Sequence, residues 1–133
     1  MISIEDRLDI LDLCARYNYY ADRGMGPEFA DCFTPDGVFD GPLARSEGTQ
    51  QLQDFITGLF ARLPGAIHFT DNHLFVVRDD YIQHRCDCSF QVPSQEDGDD
   101  SVAISLLTYD DEVVRTDDGW KFRQRICKAF APV

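Results

Sequence analysis

Asp22 and His68 are the two residues of this chain whose types and positions best suit proton-transfer chemistry. Asp22 closes the stretch Tyr17-Asn18-Tyr19-Tyr20-Ala21-Asp22, at the end of a run that reads as a helix. A carboxylate in a last helical turn faces the negative end of the macrodipole and costs a few tenths of a kcal/mol, so it calls for a compensating partner. Counting by 3.6 from Ile4 through Leu8, Leu11 and Ala15 also reaches Asp22, which places it with the apolar side of the helix. His68, Thr70 and Asn72 fall on one face of a predicted strand by its period of two. If that face is concave and the helix covers it, Asp22 and His68 line one pocket from opposite walls. A carboxylate beside an imidazole fixes its tautomer and leaves the other ring nitrogen to take or give a proton near neutral pH. Tyr19 lies about 60° from Asp22 around an ideal helix and adds a hydroxyl to the same side, whereas Tyr17 lies about 140° away.

The elements that must position these groups are legible as periodicities. Residues 3–22 read as a helix, with Ser3 and Asp6 as a capping box and Gly24 and Gly26 as the stop. Pro27 suits the first turn of a second short helix over Pro27–Phe33, and a short strand follows around Val38 and Phe39. Thr49 opens a third helix with Leu52, Phe55, Ile56, Leu59, Phe60 and Leu63 as a broad apolar stripe, ended by Pro64-Gly65. Four strands are predicted after it, over 66–77, 81–92, 102–115 and 120–131, with an acidic loop over 93–101. In the second of these, Ile82, His84, Cys86, Cys88, Phe90 and Val92 alternate with polar residues, the pattern of a half-exposed antiparallel strand. Helices gathered on one face of a curved antiparallel meander make a single α+β domain over 1–133.

Composition sets the outer limits. The chain has 133 residues, 44% of them hydrophobic, which suffices for one real core. A formal charge of −12 argues against a nucleic-acid partner or an anionic membrane surface. No apolar run reaches the roughly 18 residues of a membrane span and no leader pattern opens the chain, so a cytoplasmic location is expected. The five Cys at 14, 32, 86, 88 and 127 are scattered, and the C-x-C at 86–88 is not the C-x-x-C of a zinc or redox pair. They read as small buried hydrophobes, and neither a metal nor a cofactor is expected. His73 falls opposite His68 on its strand and reads as structural or as a subunit contact, and His84 as a packed histidine.

The order and spacing of "RYNYYADRG", "FADCFTPDGVF", "EGTQQL", "HFTDNH", "TYDDEVVR" and "DGWKFRQR" resembles the SnoaL-like branch of the nuclear transport factor 2-like (NTF2-like) superfamily over nearly the whole chain. That resemblance implies a cone-shaped α+β roll, three N-terminal helices packed on a strongly curved, mostly antiparallel sheet enclosing a pocket. In lyases of this branch, such as scytalone dehydratase, bile-acid 7α-dehydratase and the lindane dehydrochlorinase, an Asp near the end of helix 1 and a strand His act as a dyad. Asp22 and His68 match those positions. His68 and Asn72 match the H-x-x-x-N of the dehydrochlorinase, Tyr17 matches a catalytic Tyr five residues before the Asp, and Arg125 matches a pocket arginine of some relatives. Arg125 alternates away from Trp120 and Phe122 on its strand, so either the apolar faces pack outside the pocket or a bulge re-aims it. The function implied is a cofactor-independent lyase or isomerase acting on a hydrophobic, ring-bearing substrate, with Asp22, His68 and Tyr17 catalytic and Tyr19, Asn72 and Arg125 binding substrate. A polyketide cyclase-type aldol catalyst and a non-catalytic ligand-binding or assembly module are the other readings. A homodimer or homotrimer is expected, since the outer sheet face commonly pairs in this superfamily.

Overall fold

The computed structural model describes residues 2–130. The elements run α1 (Ile4–Asp22), α2 (Gly26–Asp31), β1 (Phe33–Asp40), β2 (Arg45–Glu47), α3 (Thr49–Arg62), β3 (Ile67–Val77), β4 (Ile82–Pro93), β5 (Val102–Thr116) and β6 (Gly119–Ala129). One six-stranded sheet has the order β2-β1-β6-β5-β4-β3. The last four strands form the expected antiparallel meander, β1 joins β6 in parallel, and β2 pairs with β1. The helices pack on the sheet as an α+β roll, as expected from the order of elements.

The capping box forms, with the Asp6 amide donating to Ser3 Oγ at 3.0 Å and the Ser3 amide donating to Asp6 Oδ2 at 3.2 Å. Trp120 Nε1 and Arg115 also donate to Asp6, tying the start of α1 to the β5–β6 hairpin. The Ser3 hydroxyl first, then the Ser3 amide, Arg115 and Trp120, hold the Asp6 carboxyl down to about 2.

The buried stripe of α1 is not the one counted from Ile4. Ile4 and Leu8 are 77% and 60% exposed, and the helix buries Ile10, Leu13, Cys14, Tyr17 and Ala21 instead. Apolar residues occur on more than one side of this helix, so the period alone admits both phases, and contact with β-sheet residues selects the second. Phe33 belongs to β1 and not to α2, because its backbone pairs opposite Phe122 of β6. An irregularity between Phe33 and Val38 absorbs the Pro35-Asp36-Gly37 turn signal within the strand.

Two further irregularities decide where side chains point. In β3, Asp71 faces Asp87 and Leu74 faces Arg85, so Asn72 and His73 together oppose Cys86. Asn72 takes a positive φ of 56°, a conformation Asn tolerates better than most residues. In β6, Gln124 faces Glu112 while Phe122 faces Val113, leaving Arg123 as the extra residue. Each insertion reverses the inward and outward assignment of everything beyond it. The core beneath α1 is aromatic: Tyr17 and Phe29 have ring centroids 4.8 Å apart, and Phe33 and Phe122 lie 5.5 Å apart. Each such burial is worth about 1.5–3 kcal/mol.

Candidate active site

The end of α1 is held by its turn. Gly24 has φ +66°, and a Cβ there would meet the Phe60 ring at 2.6 Å, so this turn is pressed onto α3 and only glycine fits it. That fixes Asp22 beside β3, an edge strand with β4 on one side only. The His68 amide points away from β4 and would be unpaired; it donates instead to Asp22 Oδ1 at 3.1 Å and Oδ2 at 3.2 Å. His68 Nδ1 lies 2.6 Å from the same Oδ1. One carboxylate therefore holds both the backbone and the ring of one histidine, which explains an acid in the unfavourable last turn of α1. The helix continues along the strand one turn earlier, where Asn18 Nδ2 donates to Thr70 Oγ1 at 3.1 Å.

A carboxylate only accepts, so Nδ1 carries the donated proton, and in the neutral ring the lone pair is on Nε2. Nε2 takes no protein partner among the described residues, and the ring forms part of a cavity wall. This cavity, about 680 Å³, lies between α3, the β1–β2 connection and the concave side of the sheet. Phe39, Phe55, Ile56, Leu59, Phe90 and Val92 make its lining mostly apolar, while Tyr17, Tyr109, Ser105 and His68 bring polar groups. The side chains of Asp22 and His68 are 9% and 8% exposed, which shields their pairing from solvent.

Tyr17 lines this cavity, with its ring edge-on to His68 at 6.3 Å between centroids. The helical phase that favoured Tyr19 fails for the same reason as the stripe from Ile4: Tyr19 is half exposed and stacks under the Arg23 guanidinium at 3.7 Å, away from the cavity. Asp22 and Tyr17, though well separated around the helix, reach His68 from different sides. Burial raises the Tyr17 hydroxyl far above the usual phenol range, against the nearby Arg125 charge, and so keeps it a neutral hydrogen-bond donor. Asn72 also stands corrected. The β3 irregularity turns its side chain to the outer surface, where Nδ2 donates to Asp87 Oδ2 at 2.9 Å.

Arg125 is aimed inward by the bulge at Arg123 and is fully buried, but it does not line the cavity. Its guanidinium carbon sits 4.3 Å from the Tyr17 ring centroid and 3.7 Å from that of Tyr109, directly behind two wall residues. Arg125 Nε lies 3.1 Å from Asp111 Oδ1, off the hydrogen-bonding direction, so the pair is a Coulombic contact and not a hydrogen bond. Burial opposes the charge on Arg125, yet Asp111 and the surrounding rings outweigh it and the group stays protonated. Asp111 Oδ2 is 2.7 Å from His84 Nδ1, and His84 Nε2 is 2.9 Å from His73 Nδ1. His73 thus faces inward, contrary to its period-two position, because it follows the extra residue in β3. His84 and Asp111 are direct partners in the regular β4–β5 ladder, but His73 and Arg125 join them only through the two bulges, which had no sequence signal. All five cysteines are buried and free, as small hydrophobes are.

The roll with a cavity between helices and a curved sheet is the architecture of NTF2-like proteins. An NTF2-like protein with a cystatin-like fold from Novosphingobium aromaticivorans superposes with a TM-score of 0.86 at 22% identity, covering 98% of this chain and 85% of its own. A candidate scytalone dehydratase from the same organism superposes with a TM-score of 0.82 at 19% identity, covering 97% of this chain and 89% of its own. Within this class, the chain belongs to the SnoaL-like domain family, which matches residues 3–126. The uncharacterised protein Rv2910c of Mycobacterium tuberculosis is 30% identical over 125 residues, covering 92% of this chain and 84% of the relative. None of the described helices is long and apolar enough to cross a membrane.

Proposed function

We propose that the protein is a cofactor-independent lyase of dehydratase type, or an isomerase, that removes a proton from carbon in a hydrophobic, ring-bearing substrate. The observation that carries this reading is the His68 imidazole in the wall of an apolar cavity, its Nδ1 bound by Asp22 at 2.6 Å and its Nε2 without a protein partner among the described residues. His68 Nε2 takes a proton from a carbon beside a carbonyl, and Asp22 stabilises the imidazolium that forms. The electron pair left by the C–H bond becomes the new double bond. In an elimination it expels a hydroxyl, which leaves as water with the proton from His68. In an isomerisation His68 returns the proton to another carbon. Tyr17, a neutral donor in the same wall, hydrogen-bonds the carbonyl or departing oxygen in this reading.

The test is hydrogen exchange at carbon. Polycyclic ketones and β-hydroxyketones incubated with the protein in D2O are expected to take up deuterium α to the carbonyl. His68→Ala and Asp22→Asn should lose the exchange while far-UV circular dichroism stays unchanged. Exchange that persists in both variants would exclude the dyad as the base.

We also propose a homodimer or homotrimer. Ile67, Phe69, Leu74 and Val76 of β3 with Ile104 and Leu106 of β5 leave an exposed apolar outer face, an area of the kind that association covers. Size-exclusion chromatography at twice or three times 15.2 kDa supports this, and a monomer at micromolar concentration excludes it.

A further inference from the structure

Behind the cavity, the fold assembles a group of donors that the proposed reaction does not use. Cys14 comes from α1, His73 from β3 and His84 from β4, and one ligand atom of each lies within 4.8 Å of the others. We propose that Cys14 Sγ, His73 Nδ1 and His84 Nε2 bind one divalent transition-metal ion of zinc type.

The argument rests on three features. First, the atoms are near coordination distance already. His73 Nδ1 to His84 Nε2 is 2.9 Å, and Cys14 Sγ to His84 Nε2 is 3.9 Å. Zn–N bonds of about 2.0–2.1 Å and a Zn–S bond of about 2.3 Å at tetrahedral angles require separations of about 3.3 and 3.5 Å. An ion entering between the rings replaces the proton they share, and Cys14 Sγ, which lies 4.0 Å from His84 Nδ1 and 3.9 Å from Nε2, turns about its Cα–Cβ bond towards the Nε2 side to complete the set. Second, His84 is already prepared as a ligand. Its Nδ1 is held by Asp111 at 2.7 Å, the carboxylate–histidine arrangement that leaves Nε2 deprotonated and fixes the ring. Asp111 also stands between His84 and the Arg125 guanidinium, offsetting a cation that would otherwise repel the ion. Third, the backbone puts His73 there at a cost. The extra residue in β3 and the positive φ of Asn72 are what turn His73 from the outer to the inner face.

Three protein ligands of this kind suit Zn2+ or Co2+ better than Mg2+ or Ca2+, and they leave a fourth position for water. His73 is half-buried and is the most accessible of the three ligands. Binding releases the Cys14 thiol proton. The proton between the two rings moves to His73 Nε2 without leaving the protein. The ion would clamp α1 to the sheet, independently of His68.

Chelator-treated, fully reduced protein titrated with Co2+ should show one equivalent bound, with intense visible tetrahedral bands and a near-ultraviolet thiolate charge-transfer band. One equivalent of Zn2+ should displace it. Cys14→Ser should remove the charge-transfer band, and His73→Ala, at a half-exposed site, should weaken affinity at least 10-fold with an unchanged far-UV spectrum. His68→Ala should bind as the parent does, which separates this site from the proposed dyad. An octahedral Co2+ spectrum without the thiolate band, or equal affinity in the parent and both ligand variants, overturns the proposal.

Discussion

Two histidine–aspartate pairs of nearly equal length stand in this protein, and they differ in what the second ring nitrogen meets. His68 and Asp22 are 2.6 Å apart, and His84 and Asp111 are 2.7 Å apart. In the first pair, the carboxylate serves only His68, through its ring and its amide, and Nε2 is left at the wall of an apolar cavity. In the second, both members have no exposed side-chain surface, the carboxylate is shared with Arg125, and Nε2 is taken up by His73. The pair alone therefore says little about chemistry. A free nitrogen facing a cavity is open to a ligand, as the proposed function requires of a base, whereas a nitrogen already in a polar chain is occupied by its neighbour.

The largest effect that separates the two is expected at His68. His68→Ala should lower turnover, or carbon-bound proton exchange, by about 10²–10⁴-fold, the usual contribution of a positioned general base. Its melting temperature should stay close to the parent's. Asp111→Ala should do the reverse. It leaves the buried Arg125 without its counter-charge, and breaking such a pair by removing one partner costs about 3–5 kcal/mol. Chemical denaturation reads that loss directly. If Asp111→Ala were as stable as the parent, or His68→Ala as active, the distinction between the pairs would collapse.

How far the sequence carried the reading differs between elements. The meander and the third helix follow from periods and from the order of elements, whereas the link between Asp22 and His68 rests on the family resemblance and the strand period, since the helix stripe counted from Ile4 is exposed. His68 sits at the start of β3, ahead of the extra residue, so its period-two face is the true one. Asn72 and His73 lie at that residue and exchange sides relative to expectation. Arg125 lies past the extra Arg123 and turns inward, one of the two outcomes its alternation left open. On α1 the ambiguity was of phase: the run through Ile4 and Leu8 is as regular as the run through Ile10, Cys14, Tyr17 and Ala21, and only the sheet beneath chooses. Local chemistry carries no signal for a one-residue insertion, yet that insertion creates the second pair's environment.

Asp22→Asn tests the first pair more finely. The amide oxygen can still accept from the His68 backbone, so the edge strand and the stability should hold. The ring loses the acceptor that sets its tautomer and balances its charge, so activity should fall about 100-fold, less than for His68→Ala. A variant that kept full activity would make Asp22 an edge-strand cap alone.

The smallest effect concerns the outer end of the second pair. His73 has its ionisation lowered from 6.5, first by burial and then by the facing His84 and Arg125, against which Asp71 and the Thr70 backbone act in the other direction. A histidine that protonates less readily folded than unfolded contributes stability present above pH 6.5. That stability is lost as pH falls from 6.5 through the folded value, because the unfolded chain takes up the proton first. His73→Gln cannot titrate, so its stability should decline less steeply than the parent's just below pH 6.5, by a slope of up to one proton. His68→Gln, at the cavity wall, provides the comparison under the same buffers. Urea midpoints between pH 7.5 and 5 measure both slopes. Identical profiles for the parent and His73→Gln would remove His73 from the polar chain and leave His84 Nε2 as open as that of His68.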